Sequence, residues 1–135
     1  MQARAAVRVG MTIDATRRAG VMVPLFSLRS DASWGIGEIG DLPVMARWFA
    51  AAGVRLLQLL PINEMPHGET SPYSSLSAMA IDPQFVSMAD VEEFVALGGE
   101  AVLTAEQRDQ LAVARDARHV PYAEVRALKH AALRL

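Results

Sequence analysis

Cysteine is absent from the 135 residues of this chain. Disulfide bonds, thiolate metal sites and a cysteine nucleophile are therefore excluded. No apolar run approaches the ~20 residues that a membrane-spanning helix needs, and residues 1–20 contain no apolar run of signal-peptide length. We therefore expect a cytoplasmic protein that neither crosses nor enters a membrane.

A strong charge of either sign is also lacking. Thirteen lysine and arginine residues stand against fifteen aspartate and glutamate residues, which gives a formal net charge of -2. This balance offers no electrostatic footprint for nucleic acid or an anionic membrane, and we expect neither as a partner. The hydrophobic fraction of 52% and the charged fraction of 21% are typical of a globular domain with a real core.

Two short apolar segments flank a helical pattern. Residues 20–28 (GVMVPLFSL) and 54–60 (VRLLQLL) are typical of strands buried on both faces, although Pro24 lacks the amide of a central strand. Residues 42–52 repeat apolar side chains at helical spacing, and Asp41 stands at the expected N-cap. This order predicts a βαβ unit with adjacent parallel strands and a right-handed crossover.

The remainder of the chain is dominated by helical patterns. Residues 90–97 predict a short helix, and the capping-box pair Thr104 and Gln107 predicts a second one that ends near residue 117. Pro121 opens a third helix, whose apolar face contains Tyr122, Val125, Leu128, Ala132 and Leu135. Because this pattern runs to the last residue and two parallel strands leave open edges, we expect a longer natural unit.

Four segments stand in a fixed order along the chain: RRAGVMVPLFSLRS at 17–30, SWGIGEIGDL at 33–42, LLQLLPINEM at 56–65 and SPYSSLSAMAIDPQFVS at 71–87. In order and spacing they resemble the start of the 4-alpha-glucanotransferase (amylomaltase, disproportionating enzyme) family of the α-amylase clan. The resemblance is looser through the later helices, where KHAAL at 129–133 is still similar to that family.

The resemblance implies an α/β fold, the N-terminal part of a (β/α)8 TIM-type barrel with inserted helices. The barrel is incomplete in this chain, since a closed one takes ~250 residues. We expect residues 1–16 to be a disordered extension or a wrongly assigned start. Residues 17–88 are expected to form the first two β/α units, and residues 89–135 a truncated helical subdomain.

The resemblance also implies an enzyme that transfers α-1,4-glucan segments between malto-oligosaccharides or starch. Such enzymes retain anomeric configuration, with an aspartate nucleophile and a glutamate acid/base. Neither carboxylate aligns to a residue here, so we expect no catalytic residue, metal or cofactor, and no activity from the chain alone. The alternatives are a non-catalytic glucan-binding remnant and an interaction module that needs a partner to complete its sheet.

Tyr73 and Ser71 are the candidate substrate-binding residues. Tyr73 follows the second strand, at the end where barrel sites are built. Its ring could stack on a glucose face and support oxocarbenium-like charge, or simply pack on the barrel rim. The resemblance implies that Tyr73 lines the central sugar subsite and that Ser71 lies in the cleft, whereas Ser74 and Ser75 fit turn residues.

Other polar and aromatic residues have simpler interpretations. Trp34 could be a sugar platform, but packing over the barrel end is favoured. Asp82 is expected to cap or buttress its loop, although the family often has asparagine there. Glu38 and Asp41 precede a helix and are expected to cap it. Glu64, His67 and Glu69 bring two carboxylates and an imidazole close together in the sequence. Such a group could form a metal site or an acid/base pair, but three residues in a solvated loop give little support for either.

Overall fold

The computed structural model describes residues 17–135, so the extension predicted for residues 1–16 lies outside the described part. The described chain contains two strands and four α-helices: β1 (Gly20–Val23), α1 (Leu42–Ala51), β2 (Leu56–Leu59), α2 (Glu92–Ala96), α3 (Ala105–Asp116) and α4 (Tyr122–Ala132). Short 3-10 turns lie at 25–27, 39–41, 83–85, 88–90 and 99–102. Among these helices none is long and apolar enough to cross a membrane.

The two strands form a parallel pair joined through α1. Gly20 lies opposite Leu56 and Val23 opposite Leu59, which confirms the predicted parallel pairing. The first strand is shorter than the predicted 20–28. Pro24 has no amide to extend the ladder, and the chain turns into the 3-10 segment at 25–27 instead.

The prediction that both strands are buried on both faces is wrong for the described residues. Exposure alternates along each strand: Met22 is 62% and Leu56 58% exposed, whereas Val21 and Leu57 are half-buried. A parallel strand is buried on both faces when further strands and helices surround it. The part of the chain that the structure describes supplies two strands, so only one face of the pair is covered.

The main core lies beneath the later helices rather than around the sheet. One cluster of buried side chains contains Trp34, Met88, Phe94, Leu103, Leu111, Leu128 and Ala132. A second contains Leu25, Leu28, Ile36, Phe85, Ala114 and Val125. The predicted apolar face of α4 is confirmed at Val125, Leu128 and Ala132, but Leu135 lies beyond the helix end and is exposed.

The first residues of the helices show which of the predicted capping interactions form in the structure. The Thr104 amide donates to Gln107 Oε1 (2.9 Å) and the Gln107 amide to Thr104 Oγ1 (3.1 Å), which confirms the capping box of α3. Asp41 occupies the N-cap position of α1, as predicted, but its side chain makes no capping hydrogen bond to that helix. Its carboxylate accepts from the Glu38 amide (2.7 Å) and so closes the 3-10 turn before α1. The second helix starts at Glu92 because residues 88–90 form another 3-10 turn.

Candidate functional site

The loops that follow β1 and β2 leave the same edge of the sheet, because the two strands are parallel. This is the edge at which α/β proteins build their binding sites. The first loop, here called the β1 loop, covers residues 24–41, and the second covers residues 60–82. Tyr73 and Ser71 lie in the second.

Residues 65–81, here called the Tyr73 loop, are closed at their base by paired backbone. Asn63 and Ile81 form an isolated antiparallel bridge. The Glu64 amide donates to the Ala80 carbonyl (3.0 Å), and the Asp82 amide donates to the Ile62 carbonyl (3.0 Å). These bonds hold the start and the end of the loop side by side.

Tyr73 stands at an exposed turn of this loop. The Ser74 amide donates to the Ser71 carbonyl (3.0 Å), so residues 71–74 form a turn that carries the ring. The predicted turn role is confirmed for Ser74, which closes this turn, but Ser75 lies outside it. The Tyr73 side chain is 72% exposed, and Ser71 is exposed as well. The ring face is therefore open to a ligand that stacks on it, and the serine hydroxyl is open to hydrogen bonding.

At the end of the loop, the carboxylate of Asp82 is fully buried and has three donors around it. Oδ1 accepts from the Gln84 amide (3.0 Å), while Oδ2 accepts from the Met65 amide (3.2 Å) and from Arg126 Nη2 (2.8 Å). The expectation that Asp82 caps and buttresses the loop is confirmed. Its partner Arg126, on α4, was not predicted from the sequence.

A second buried ion pair joins the β1 loop to α4. Lys129 Nζ donates to Glu38 Oε1 (2.6 Å), to the Gln84 carbonyl (2.6 Å) and to the Val86 carbonyl (2.7 Å). All three ammonium donors are thus used. Burial raises the pKa of Glu38 and lowers that of Lys129, and the attraction between them opposes both shifts.

Glu38 stands at the N-cap of the 3-10 turn at 39–41 and not at the start of α1, so the expectation that it caps a helix holds for that turn alone. Its carboxylate faces Lys129 and accepts from the Trp34 amide (2.9 Å), so it ties its own loop to α4. The sequence did contain a signal. Lys129 stands in the buried register of α4 with Val125 and Ala132, and a lysine in such a register needs a buried acceptor.

Trp34 is a packing residue. It is 1% exposed and lies edge-to-face on Phe94, with ring centroids 5.8 Å apart. Its Nε1 donates to Glu100 Oε1 (3.2 Å), and both oxygens of Glu100 accept from Arg115. The hydrogen bond from Arg115 lowers the pKa of Glu100. The ring thus has no free face for a sugar, and the packing interpretation is confirmed.

Glu64, His67 and Glu69 are the remaining candidates for a metal site or an acid/base pair. Glu64 is half-buried, while His67 and Glu69 are exposed, and no group of three side chains in this range could hold a metal ion. The two buried carboxylates of the described chain, Glu38 and Asp82, are each paired with a cation. Their pairing suits positional roles rather than proton transfer.

Comparison with known proteins agrees with the sequence motifs. Residues 23–135 match the family model described as 4-alpha-glucanotransferase. The chain is 34% identical to a 4-alpha-glucanotransferase of Chlamydia caviae, over 91% of this chain and 22% of that protein. It is 37% identical to one of Chlamydia trachomatis (87% and 21%) and 41% identical to 4-alpha-glucanotransferase DPE2 of Oryza sativa (58% and 9%). The matched region thus covers 22% or less of each relative.

Proposed function

Because this chain belongs to the 4-alpha-glucanotransferase family, we propose that it is part of an enzyme that transfers α-1,4-glucan segments between malto-oligosaccharides or starch. Residues 17–88 supply the first two β/α units of a (β/α)8 barrel, and residues 89–135 a helical subdomain inserted into it. The parallel β1–β2 pair joined through α1 supports this placement. The exposed apolar side chains of Met22 and Leu56 suit a sheet that further barrel elements cover.

The catalytic carboxylates of this enzyme lie outside the present chain. A retaining transfer needs a nucleophile and an acid/base carboxylate about 5 Å apart. Glu38 and Asp82 are buried, but each is engaged by a cation and by backbone amides, so neither is free to attack a sugar or to exchange a proton. The chain therefore contributes binding surface, and the remainder of the protein contributes the chemistry.

Tyr73 and Ser71 form the part of the glucan site that this chain provides. The observation that carries the proposal is the open ring of Tyr73 on a loop whose two ends are joined, at the carboxyl edge of parallel strands. The ring stacks on the apolar face of a glucose unit at the bond that is cleaved. Its π-face also stabilises the positive charge that develops at the anomeric carbon.

Maltotriose disproportionation tests this function. The complete protein and a protein of residues 1–135 are purified from a host that lacks maltodextrin enzymes, and their products are separated by chromatography. The complete protein is expected to form glucose together with longer malto-oligosaccharides, and residues 1–135 to form neither. If the folded complete protein binds maltotriose without converting it, the chain belongs to a glucan-binding remnant. If it does not bind maltotriose at all, an interaction module is the better account.

A further inference from the structure

The carboxylate of Asp82 joins the two ends of the Tyr73 loop through its two oxygens. Oδ2 accepts from the amide of Met65, where the loop begins, and Oδ1 accepts from the amide of Gln84, just after the loop ends. The side chain is 0% exposed, so water does not compete for these bonds. One side chain thereby fixes the separation of the loop's start and end.

Arg126 attaches this closure to α4. Its Nη2 donates to Asp82 Oδ2 (2.8 Å) and its Nη1 to the Met65 carbonyl (3.4 Å), so one planar guanidinium contacts both ends of the loop. The Arg126 side chain is largely buried. Since α4 is packed into the core through Val125 and Leu128, the loop is held at a fixed position relative to the core.

We propose that Asp82 and Arg126 are positioning residues for Tyr73, which hold the Tyr73 loop in the conformation that receives the glucan. This inference rests on the proposed glucan site. A buried ion pair is a weak source of net stability, because desolvation offsets much of the attraction. It does fix geometry, and the bonds of Asp82 hold the first residue of the Tyr73 loop and the chain just after its end. A displacement of about 1 Å in a substrate-positioning group can cost a hundredfold in rate.

The first experiment is Asp82→Ala in the complete protein. Alanine removes both acceptor oxygens, so the Met65 amide, the Gln84 amide and Arg126 lose their common acceptor. We expect kcat/KM for maltotriose to fall about tenfold to a hundredfold. Hydrogen exchange of the amides in residues 65–81 should become faster, while exchange in α3 stays unchanged.

The matched control is Arg115→Gln. Arg115 forms an ion pair of similar length with Glu100 (2.6 Å against 2.8 Å for the Asp82 pair), but its hydrogen bonds reach Glu100 and the β1 loop rather than residues 65–81. The Arg115→Gln variant should have a lower Tm, while its kcat/KM stays within about twofold of wild type. If the role of Asp82 is purely structural, kcat/KM is unaffected in both variants when they are assayed well below Tm, whatever the difference between their Tm values.

The variant Asp82→Ala/Tyr73→Ala supplies the readout that identifies a positioning role. If Asp82 acts through Tyr73, the double variant loses no more kcat/KM than the more damaging single variant. If the double variant instead shows the product of the two single-variant losses in kcat/KM, the inference is overturned. A normal kcat/KM in Asp82→Ala when Tyr73→Ala is impaired also overturns it, and in that case the proposed function still stands. If Tyr73→Ala is also normal, the proposed glucan site fails and this inference fails with it.

Arg126→Lys provides a second route to the same test if Asp82→Ala does not fold. Lysine keeps the positive charge beside Asp82, but it cannot contact Asp82 and the Met65 carbonyl at once with a planar fork. The inference predicts a lower kcat/KM and the same absence of further loss when Tyr73→Ala is added. A kcat/KM within about twofold of wild type in Arg126→Lys, together with unchanged exchange in residues 65–81, contradicts it.

Discussion

Glu38 and Lys129 form an ion pair in the interior, with Nζ and Oε1 2.6 Å apart and side chains 5% and 0% exposed. Removing one partner of such a pair leaves the other charge buried without compensation. Lys129→Met is therefore expected to lower the free energy of unfolding by about 3–5 kcal/mol. Urea unfolding followed by circular dichroism measures this change.

The double variant Lys129→Met/Glu38→Gln is the control for that prediction. It removes both charges, and the glutamine that replaces Glu38 can still accept a hydrogen bond from the Trp34 amide through its side-chain oxygen. The double variant should therefore be more stable than Lys129→Met alone. A double variant that is less stable than the single one would show that the cost comes from lost packing rather than from the uncompensated charge.

Gly37 and Gly53 provide a matched pair of glycine-to-alanine changes. A Cβ at Gly37 would overlap the Leu25 carbonyl and the Leu28 backbone, both fixed parts of the chain. Gly53 has φ of +82° but open space around it. We expect Gly37→Ala to lower the free energy of unfolding by about 3 kcal/mol or more, and Gly53→Ala by about 1 kcal/mol. Equal losses in urea unfolding would contradict the close approach of Gly37 to the backbone of residues 25–28.

The Glu100–Arg115 pair predicts a defined pH dependence. The hydrogen bond from Arg115 lowers the folded-state pKa of Glu100 below its ordinary value of 4.5. A carboxyl with a lowered folded pKa adds stability above its unfolded pKa, and that stability is lost as pH falls through the folded pKa. The difference in free energy of unfolding between wild type and Glu100→Gln should thus be smaller at about pH 3 than at about pH 6. A constant difference across this range would contradict the pairing.

Local signals in the sequence predicted the elements that depend on near neighbours. The cap of α3 was correct because Thr104 and Gln107 bond each other across one turn. The length of β1 was wrong because the predicted strand followed the apolar run past Pro24, whose missing amide ends the ladder at Val23. The burial of β1 and β2 was wrong for a different reason: it depends on which elements surround them, which the strand sequences do not encode.

In the candidate site, too, the sequence predicted the local features and missed the contacts between distant residues. The placement of Tyr73 in a loop after the second strand followed from the order of the motifs, whereas Arg126 is 44 residues from Asp82 and no local pattern joins them. A lysine in the buried register of α4 signalled that Lys129 needs an acceptor. It could not identify Glu38 as that acceptor, because tertiary packing brings the β1 loop to α4.

Steady-state kinetics of the complete protein with Tyr73→Ala and Tyr73→Phe tests the central claim most directly. If the ring stacks on the sugar in the transition state, Tyr73→Ala should lower kcat/KM for maltotriose by about 2–3 kcal/mol, roughly thirty- to a hundred-and-fifty-fold. Tyr73→Phe should keep most of the activity. A large loss in this variant is expected only if the hydroxyl forms a hydrogen bond to a sugar or to a catalytic carboxylate. Tm of each variant is measured alongside, since a change in the loop can also alter stability. A kcat/KM for Tyr73→Ala within about twofold of wild type, at unchanged Tm, would contradict the account and leave Tyr73 as a surface residue of the loop.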